Sequence, residues 1–218
     1  MIRHFISDRF GGVSKPPYHE LNIALHVGDN PAAVVKNRKL LFEKAGIEDA
    51  VFMNQIHSCD IQYVDRICTP TCDGLITDRP NLPLAVMSAD CYGVLLFDEQ
   101  EGVIAALHAG RKGAMGGIVT KALEMMQNDF GAKRMQAVIS PGIGVCCYEV
   151  GEEILTSVNK RYIQGKHLNI KKMIVDQLRE FGVEYHDYGI CTACSKNYYS
   201  YRREGVTGRF ASIIWRQR

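Results

Sequence analysis

Residues 87–110, MSADCYGVLLFDEQEGVIAALHAG, consist of two apolar runs joined by a short acidic segment. Two such runs separated by a turn are typical of buried antiparallel strands in a hairpin. If residues 99–100 form the loop, the register places Cys91 directly opposite His108, whereas a longer loop that uses Gly102 would shift the register by one or two residues. Directly opposed residues have Cβ atoms about 4.5–5.5 Å apart, so this hairpin predicts a thiol and an imidazole close enough to bind one metal ion. A lone buried cysteine and a hydrogen-bonded core histidine are the alternative interpretation.

The rest of the chain predicts more strands than helices. Strand-like runs occur at residues 51–57, 61–65, 73–77, 82–89, 92–97, 102–107, 135–140 and 210–215. Helical spacing of apolar residues occurs at residues 29–46, 116–131 and 169–182. The first helix is the best marked, with Asn30 as its cap, Pro31 at its first position and Gly46 at its end. We therefore expect an α+β (mixed α/β) fold, a single domain over residues 1–218 with a mixed β-sheet covered by helices.

The composition argues against several classes of protein. The chain has 218 residues, 46% of them hydrophobic, and a formal net charge of +2. This supports an ordinary core and gives no case for binding nucleic acid or an anionic membrane. Charged residues interrupt the first ten positions, unlike a signal peptide, and no apolar run approaches the roughly 20 residues that span a bilayer. We expect a cytoplasmic monomer or small homo-oligomer, whose eight cysteines are reduced thiols or metal ligands.

A third ligand for the hairpin metal is offered by His57, which ends the strand-like run at residues 51–57. Two histidines, one cysteine and an open fourth position suit a catalytic zinc. Among the remaining histidines, His26 is the one serious rival for this role.

A basic, Gly-rich segment follows directly after His108. Residues 109–117, AGRKGAMGG, lead into a predicted helix whose free N–H groups could receive an anion. Arg111 and Lys112 would add two positive charges at the same place. The segment therefore predicts an anion site beside the metal.

Six motifs carry a resemblance to a known family. They are RFGGVSKPPYHELNIALHVGDNPAAVVKNR (9–38), NQIH (54–57), ADC (89–91), LHAG (107–110), PGIGVCCYEVG (141–151) and YYSYRREGVTGRFASIIW (198–215). With these motifs the chain resembles, nearly end to end, the family long named multicopper polyphenol oxidases or laccase-domain proteins. Members of that family are now described as zinc-dependent purine nucleoside phosphorylases, some with adenosine deaminase activity. Some bacterial relatives are described as peptidoglycan editing factors.

The resemblance implies a cofactor and a reaction. His57, Cys91 and His108 match the family's zinc ligands and would form the catalytic centre. The implied reaction is phosphorolysis of adenosine, inosine, guanosine or methylthioadenosine, with adenosine deamination as a further activity. Ser58 and Arg111 depart from the family pattern beside the expected site, which affects the substrate range more than the metal.

Copper is the alternative metal. A laccase-like oxidase needs a His-rich trinuclear cluster and a separate type 1 copper, and seven histidines, three of them in one cluster, are too few for both. A single copper bound by two histidines and Cys91, with Met87 as axial ligand, remains open. Such a site would suit electron transfer better than polyphenol oxidation.

Phosphorolysis also requires residues that bind phosphate and nucleoside. Arg111 and Lys112 follow a predicted ligand, and Arg9, Arg38 and Arg209 lie within the family motifs. These five basic residues are the candidates, and a structural or solvated side chain is the alternative for each.

Deamination would need a carboxylate that acts as acid and base. Asp90 adjoins Cys91, but on a regular strand its side chain would point to the opposite face. We therefore assign no acid or base from the sequence.

Two other classes of function remain open. Without metal, Cys91 and His108 could form a nucleophilic dyad. The family is thought to share its fold with the Cys/His deamidase toxins of the cytotoxic necrotising factor group. A Cys/His amidohydrolase acting on a peptidoglycan precursor is therefore the second hypothesis, and a non-enzymatic zinc or redox module is the third.

The third hypothesis depends on the other cysteines. CTPTC (68–72) and CTAC (191–194) could together form a structural zinc site of four cysteines, with free thiols as the alternative. Cys146–Cys147 are consecutive, so on a strand they would face opposite ways and could hardly share a metal.

Overall fold

Two stacked β-sheets form the centre of the protein, and helices cover both outer faces. The structure is a computed structural model and describes residues 1–217. Its strands, in chain order, are β1 (Ile2–Ile6), β2 (Ile61–Tyr63), β3 (Gly74–Thr77), β4 (Leu84–Ser88), β5 (Tyr92–Asp98), β6 (Val103–Ala109), β7 (Gln136–Ile139), β8 (Ile163–Gln164), β9 (His167–Leu168), β10 (Glu184–Asp187) and β11 (Phe210–Arg216). Its α-helices are α1 (Pro31–Ala45), α2 (Arg111–Met115), α3 (Ile118–Phe130), α4 (Glu152–Ser157), α5 (Ile170–Glu180) and α6 (Tyr201–Glu204). None of the helices in this described range is long and apolar enough to cross a membrane.

The larger sheet is mixed. Its six strands follow the order β10-β7-β5-β6-β3-β2, with parallel pairing at both edges and antiparallel pairing between them. The smaller sheet has the order β1-β11-β4 and is antiparallel throughout. Strands β8 and β9 form a separate short hairpin.

The alternation of side chains along β5 explains how the layers pack. Val94 and Leu96 pack in one cluster with residues of α3 and α5, whereas Leu95 packs on the opposite face with residues of the smaller sheet. On the far side of the smaller sheet, Ile213 packs with Leu41 of α1. Each fully buried leucine or isoleucine stabilises this four-layer arrangement by about 1.5–3 kcal/mol. A strand buried on both faces is apolar throughout, which is why the sequence of β5 shows no polar alternation.

The α+β class with a mixed sheet covered by helices is therefore confirmed. The signals at the ends of α1 are also confirmed. The Asn30 side chain accepts a hydrogen bond of 2.9 Å from the Ala32 N–H, Pro31 is the first helical residue, and Gly46 ends the helix with a φ of 70°. The second sheet was not part of the prediction, because a strand pattern does not reveal which sheet a strand joins.

The strand expected at residues 51–57 is wrong. Only isolated bridges form there, at Val51 and Asn54. The N–H groups of residues 56–58 instead donate to the side chain of Asp73, so no ladder continues.

The hairpin of β5 and β6 forms, with the longer loop that includes Gly102 rather than the two-residue loop. The loop comprises four residues, 99–102, and Gly93 rather than Cys91 pairs with His108. Gly102 closes the loop in the left-handed region, with a φ of 70°, where glycine carries no steric cost. The shift is two residues, so Cys91 stays on the same side of the sheet as His108 and meets it diagonally.

The carboxylate of Asp98 explains the longer loop. One of its oxygens accepts hydrogen bonds from the N–H groups of Gln100 and Glu101, and the other accepts from those of Lys133 and Arg134, at 2.8–3.2 Å. Burial alone would raise the pKa of Asp98, but these four hydrogen bonds lower it. A two-residue loop would break this network.

Candidate active site

The structure brings His57, Cys91 and His108 together at one end of the hairpin. Their potential ligand atoms all lie within 4.8 Å of one another. The two imidazole rings meet edge to face, with centroids 4.9 Å apart. Gly110 leaves space for Cys91 and His57, because a Cβ at position 110 would lie 2.8 Å from Cys91 Sγ and 3.5 Å from His57 Cδ2.

Asp73 positions the segment that carries His57. The side chain of Asp73 is fully buried just before β3. It accepts hydrogen bonds from the N–H groups of Ile56 (3.2 Å), His57 (3.0 Å) and Ser58 (2.6 Å), and from Ser58 Oγ (2.9 Å). His57 adopts a φ of 61°, an uncommon conformation that this network holds in place.

Asp73 also orients His108. The distance between His108 Nδ1 and Asp73 Oδ1 is 2.8 Å. Burial alone would raise the pKa of Asp73, but the hydrogen bonds from His108 and Ser58 lower it to about 2. The carboxylate is therefore a pure acceptor, so His108 Nδ1 carries the proton and Nε2 is left free for a metal. Sequence reasoning missed Asp73, although an acidic residue directly before a buried apolar strand was an available signal.

The remaining charges favour a thiolate. In the metal-free protein, burial would raise the pKa of Cys91, but the His108 charge and hydrogen bonds from His108 and His57 lower it to about 6. Burial would lower the pKa of His108, yet the Cys91 thiolate and Asp73 raise it to about 9. A thiolate is the form of cysteine that binds metal or attacks an electrophile.

The regular strand geometry assumed for Asp90 does not hold. Asp90 precedes β5 with a φ of 93°, and the residue lines the same cavity as Cys91. One carboxylate oxygen accepts from Thr192 Oγ1 (2.8 Å) and the other from the Arg202 N–H (2.6 Å). Alternation of faces applies to regular strands, and the chain leaves that geometry at this residue.

The three potential ligands open into a cavity of about 720 Å³. Its lining contains the basic residues Arg111, Lys112, Arg202 and Arg209, and the rest of the lining is His26, Gln55, Ile56, His57, Met87, Ala89, Asp90, Cys91, His108, Ile143, Tyr148 and Tyr201. Among the described residues 1–217, Asp90 is the one carboxylate of this lining. The cavity is therefore rich in positive charge beside a cysteine–histidine cluster.

Two of the five basic candidates lie elsewhere. Arg9 is buried, pairs with Glu204 at 2.5 Å and lies over the ring of Tyr199 at 4.6 Å. Arg38 donates to the carbonyl oxygen of Ile23 and stacks over Phe52. Both arginines stabilise the fold around the N-terminal loop and lie outside the cavity lining.

His26 reaches the cavity without joining the ligand cluster. Burial lowers its pKa, and the nearby charges of Arg209 and Arg38 lower it further. His26 is therefore a neutral imidazole near pH 7, available to a bound molecule.

Sequence reasoning also missed the aromatic and apolar part of the lining. Tyr201 and Ile56 are unusually exposed for their types, at 62% and 53%. The guanidinium of Arg202 lies over the ring of Tyr148, with 5.2 Å between Arg202 Cζ and the ring centroid. These residues come from segments far apart in the sequence, so only the folded chain places them around one cavity.

The four-cysteine zinc site expected from segments 68–72 and 191–194 is wrong, because these two segments do not bring their cysteines together. Cys72 is fully buried between the two sheets, and Cys68 packs against the same cluster. Cys191 and Cys194 instead meet Cys146–Cys147, which lie on a turn at residues 145–147. On a turn, consecutive side chains do not alternate, so the two cysteines that seemed unable to share a metal face the same place.

The similarity of the whole chain to known proteins agrees with the motifs. A family model described as multi-copper polyphenol oxidoreductase laccase matches residues 3–217. The chain belongs to this family. It is 40% identical to a purine nucleoside phosphorylase of Streptomyces coelicolor over 97% of this chain and 95% of that one. It is 38% identical to a purine nucleoside phosphorylase of Mycobacterium bovis over 98% and 92%.

Two solved structures have the same fold as this chain. The hypothetical protein YfiH of Bacillus licheniformis aligns with a TM-score of 0.92 and 30% identity over 99% of this chain and 93% of its own. YlmD of Geobacillus stearothermophilus aligns with a TM-score of 0.91 and 30% identity over 100% and 92%. The family resemblance read from the motifs is confirmed.

The laccase family name does not match the side chains that could bind metal. Within residues 1–217, His, Cys, Asp and Glu form two clusters of metal-binding geometry, one of two histidines with a cysteine and one of four cysteines. A multicopper oxidase needs a His-rich trinuclear centre as well as a type 1 site. Neither cluster has that composition.

Proposed function

We propose that this protein is a zinc-dependent purine nucleoside phosphorylase. It would transfer the ribose of adenosine, inosine, guanosine or methylthioadenosine to phosphate. The observation that carries the proposal is a single cavity in which two histidines and a cysteine lie beside four basic side chains. A volume of about 720 Å³ is in the usual range for a small-molecule site. The names of the relatives from Streptomyces coelicolor and Mycobacterium bovis support the same reaction.

The donor set fits zinc. Imidazole nitrogen and thiolate sulfur are zinc's preferred protein ligands, and three protein ligands are typical of a catalytic site. His57, Cys91 and His108 would hold the ion, and the Asp73–His108 hydrogen bond resembles the carboxylate–histidine pairs that orient zinc ligands. When bound, zinc would supply a Lewis acid for negative charge that develops on the leaving purine. Copper is the alternative metal, since Met87 also lines the cavity.

The basic side chains would bind phosphate. In phosphorolysis the ribose–purine bond breaks, its electron pair stays with the purine, and a phosphate oxygen forms the new bond to the ribose carbon. The attacking phosphate is an anion and the sugar-centred transition state is cationic, so phosphate must be held close to the sugar. Arg111 and Lys112 begin α2, one residue after the end of β6, and Arg209 lines the same cavity. Charge-assisted hydrogen bonds of this kind contribute roughly 1.5–3 kcal/mol each.

The apolar side chains would bind the purine. Tyr201 and Ile56 are exposed in the cavity lining, and Tyr148 adds a second ring. Base–aromatic stacking contributes about 1–3 kcal/mol per base and accepts any purine, which suits the broad substrate range proposed here.

Deamination of adenosine is a second activity for the same cavity. The observation that favours it is that Asp90, the one carboxylate-bearing residue of the lining within residues 1–217, precedes Cys91 and lines the same cavity. A carboxylate is the acid and base that metal-dependent deaminases use. Ammonia release from adenosine, measured in parallel with phosphorolysis, tests this activity.

The decisive test of the main proposal is the phosphate dependence of base release. Purified enzyme and inosine should yield hypoxanthine and ribose 1-phosphate only when phosphate is present. Cys91→Ala should abolish the activity and lose the metal of this site, whereas Cys68→Ala, a cysteine outside the cavity, should do neither. Hypoxanthine release at an unchanged rate without phosphate would mean that the protein is a hydrolase.

A Cys/His amidohydrolase is the rival. Cys91, His108 and Asp73 have the order of nucleophile, base and orienting carboxylate. His57 has no role in such a triad, although its ring lies within reach of both other groups. Metal-free enzyme that hydrolyses a peptidoglycan peptide through an acyl-Cys91 species would favour this rival over the phosphorylase.

A further inference from the structure

A second cluster of thiols lies outside the proposed catalytic set. The sulfur atoms of Cys146, Cys147, Cys191 and Cys194 all lie within 4.8 Å of one another. Two separations are shorter still, 3.3 Å from Cys147 Sγ to Cys194 Sγ and 3.7 Å from Cys146 Sγ to Cys194 Sγ. Cys146 and Cys194 are exposed, so the cluster is open to ions from solvent.

The backbone is shaped around these thiols. Residues 145–147 and 192–194 form two turns, and the segments that carry them are joined by a bridge between Gly142 and Cys191. The Gly144 N–H points at Cys191 Sγ, with an N···S distance of 3.2 Å. A Cβ on Gly144 would lie 3.1 Å from Cys146 Sγ and 3.2 Å from Cys191 Cβ, closer than side chains normally pack. Glycine at this position therefore lets two of the cysteines approach each other.

We propose that Cys146, Cys147, Cys191 and Cys194 bind a structural zinc ion. The geometry matches a single tetrahedral ion, since Zn–S distances of about 2.3 Å hold four sulfurs about 3.8 Å apart. The Cys-x-x-Cys spacing of residues 191–194 is that of many structural zinc sites. Four thiolates leave no open position, so this ion does no chemistry.

Other occupants of the cluster fit less well. In an iron–sulfur cluster the four thiolates are shared among two or four irons, and thiolates on different irons lie farther apart than the sulfurs of this group. A disulfide would join two of the four thiols and needs an S–S distance of about 2.05 Å, shorter than either separation given above. A mononuclear metal uses all four at their present spacing.

The proposed zinc would join a loop that lines the catalytic cavity to a second loop that contacts the cavity residue Asp90. Ile143 and Tyr148 flank one cysteine pair, and both line that cavity. Next to the other pair, Thr192 donates to Asp90, the residue before Cys91. Arg202 adds a further tie, because its side chain donates to the carbonyl oxygens of residues 147 and 149. Loss of this zinc should therefore loosen the loop that lines the cavity without removing a ligand of the catalytic metal.

Metal counting in full-length protein tests the proposal independently of catalysis. Protein purified under reducing conditions without chelator should hold about two zinc ions per chain, about one in Cys91→Ala and none in Cys91→Ala/Cys194→Ser. Cys68→Ser is the matched control, since this half-buried cysteine lies outside both clusters and should leave the count unchanged. Complete loss of zinc in Cys91→Ala alone would overturn the four-cysteine site. If Cys91→Ala instead kept as much zinc per chain as the wild type, the proposed catalytic metal would be wrong and the four-cysteine site would be unaffected.

Alkylation of the wild-type protein provides a test that needs no variant. The four cysteines should resist iodoacetamide in the native protein and react after chelation without any reductant. Reaction only after a reductant would reveal a disulfide, and co-purified iron with inorganic sulfide would reveal a cluster. Either result would overturn the zinc proposal.

A conservative variant separates a ligand role from a packing role. Cys194→His keeps a zinc-binding side chain, so it should retain about one zinc in the Cys91→Ala background, where Cys194→Ser should retain none. Chelation should lower the melting temperature of Cys91→Ala and of its Cys194→His derivative. An unchanged melting temperature in Cys91→Ala on chelation would mean that no ion clips the loops.

Discussion

Asp73→Asn is the most informative single substitution at the catalytic cluster, because it preserves shape and changes one oxygen into an NH2 group. In the native protein one carboxylate oxygen accepts from His57 N–H and His108 Nδ1, and the other accepts from the Ser58 N–H and hydroxyl. The asparagine NH2 must replace one of these acceptors. Both orientations therefore disturb a proposed metal ligand.

The two orientations differ in which ligand is lost. If the NH2 faces His108, it donates to Nδ1 and moves the histidine proton to Nε2, where the metal should bind. If it faces Ser58, two donors confront each other at the 2.6 Å contact, and the segment that carries His57 must move. Loss of such supporting hydrogen bonds typically weakens metal binding about 10–100-fold, or roughly 1.4–2.7 kcal/mol.

Cys91 itself reports on the site. Peptide mapping after iodoacetamide treatment, over a series of chelator concentrations, gives the concentration at which Cys91 loses its metal. In Asp73→Asn this concentration should fall about 10–100-fold. Asp60→Asn is the matched control, since Asp60 is exposed and the substitution removes the same charge thirteen residues away without touching His108. Identical protection of Cys91 in folded Asp73→Asn and wild type would refute the argument that Asp73 selects the histidine tautomer.

Other substitutions test neighbouring parts of the structure. Lys112→Ala should raise the KM for phosphate in inosine phosphorolysis roughly 10-fold or more, because a charge-assisted hydrogen bond is lost, and should have little effect on adenosine deamination. The control is Lys121→Ala, at an exposed lysine of α3, which should leave both activities unchanged. Equal losses of both activities in Lys112→Ala would indicate a general folding role. In metal-free protein, alkylation of Cys91 should decline as the pH falls below about 6, because the thiolate is lost there; a midpoint near the ordinary thiol pKa, measured by mass spectrometry, would contradict the thiolate–imidazolium pair. Gly110→Ala should reduce zinc affinity at the catalytic cluster, since its Cβ would lie 2.8 Å from Cys91 Sγ; the same chelator series measures it, and unaltered affinity would show that the cluster can move aside. Asp98→Asn should lower the free energy of unfolding by roughly 2 kcal/mol near neutral pH. The pKa of Asp98 in the folded protein lies below the ordinary value of about 3.9. The stabilisation from Asp98 is therefore present above that value and is lost as pH falls through the lower folded pKa. Denaturant titrations in which the difference in unfolding free energy between wild type and Asp98→Asn stays constant down to strongly acidic pH would contradict this.

The register of the β5–β6 hairpin illustrates where local reasoning stops. The apolar runs on either side of the turn reveal two buried strands, but they are equally compatible with a two-residue or a four-residue loop. The choice is made by Asp98, which bonds to the N–H groups of Lys133 and Arg134, 35 and 36 residues away. Cys91 and His108 still meet, because a shift of two residues keeps a side chain on the same face.

Sequence reasoning predicted the three proposed metal ligands of the catalytic cluster but not the residues that support them. The meeting of His57, Cys91 and His108 was predicted from the hairpin pattern and the motifs, although the strand expected before His57 does not form. Asp73 was missed and Asp90 was given regular strand geometry that it does not have, because the hydrogen bonds of both residues depend on partners 35 and 102 residues away. The cysteine partnership of the second cluster was wrong for the same reason, since turns rather than strands carry Cys146–Cys147.

The sequence alone therefore determined the α+β class, the helix α1 with both of its ends, the family and the three side chains that converge. These features depend on the periodicity of apolar residues, on helix capping and on short motifs, all of which can be recognised from residues close together in the sequence. Only the tertiary structure decided the second sheet, the hairpin register, the orientation of His108 and the partners of Cys191 and Cys194. Each of these depends on a hydrogen bond or contact between distant segments, and the free energy of such a contact exists only after the chain has brought both segments together.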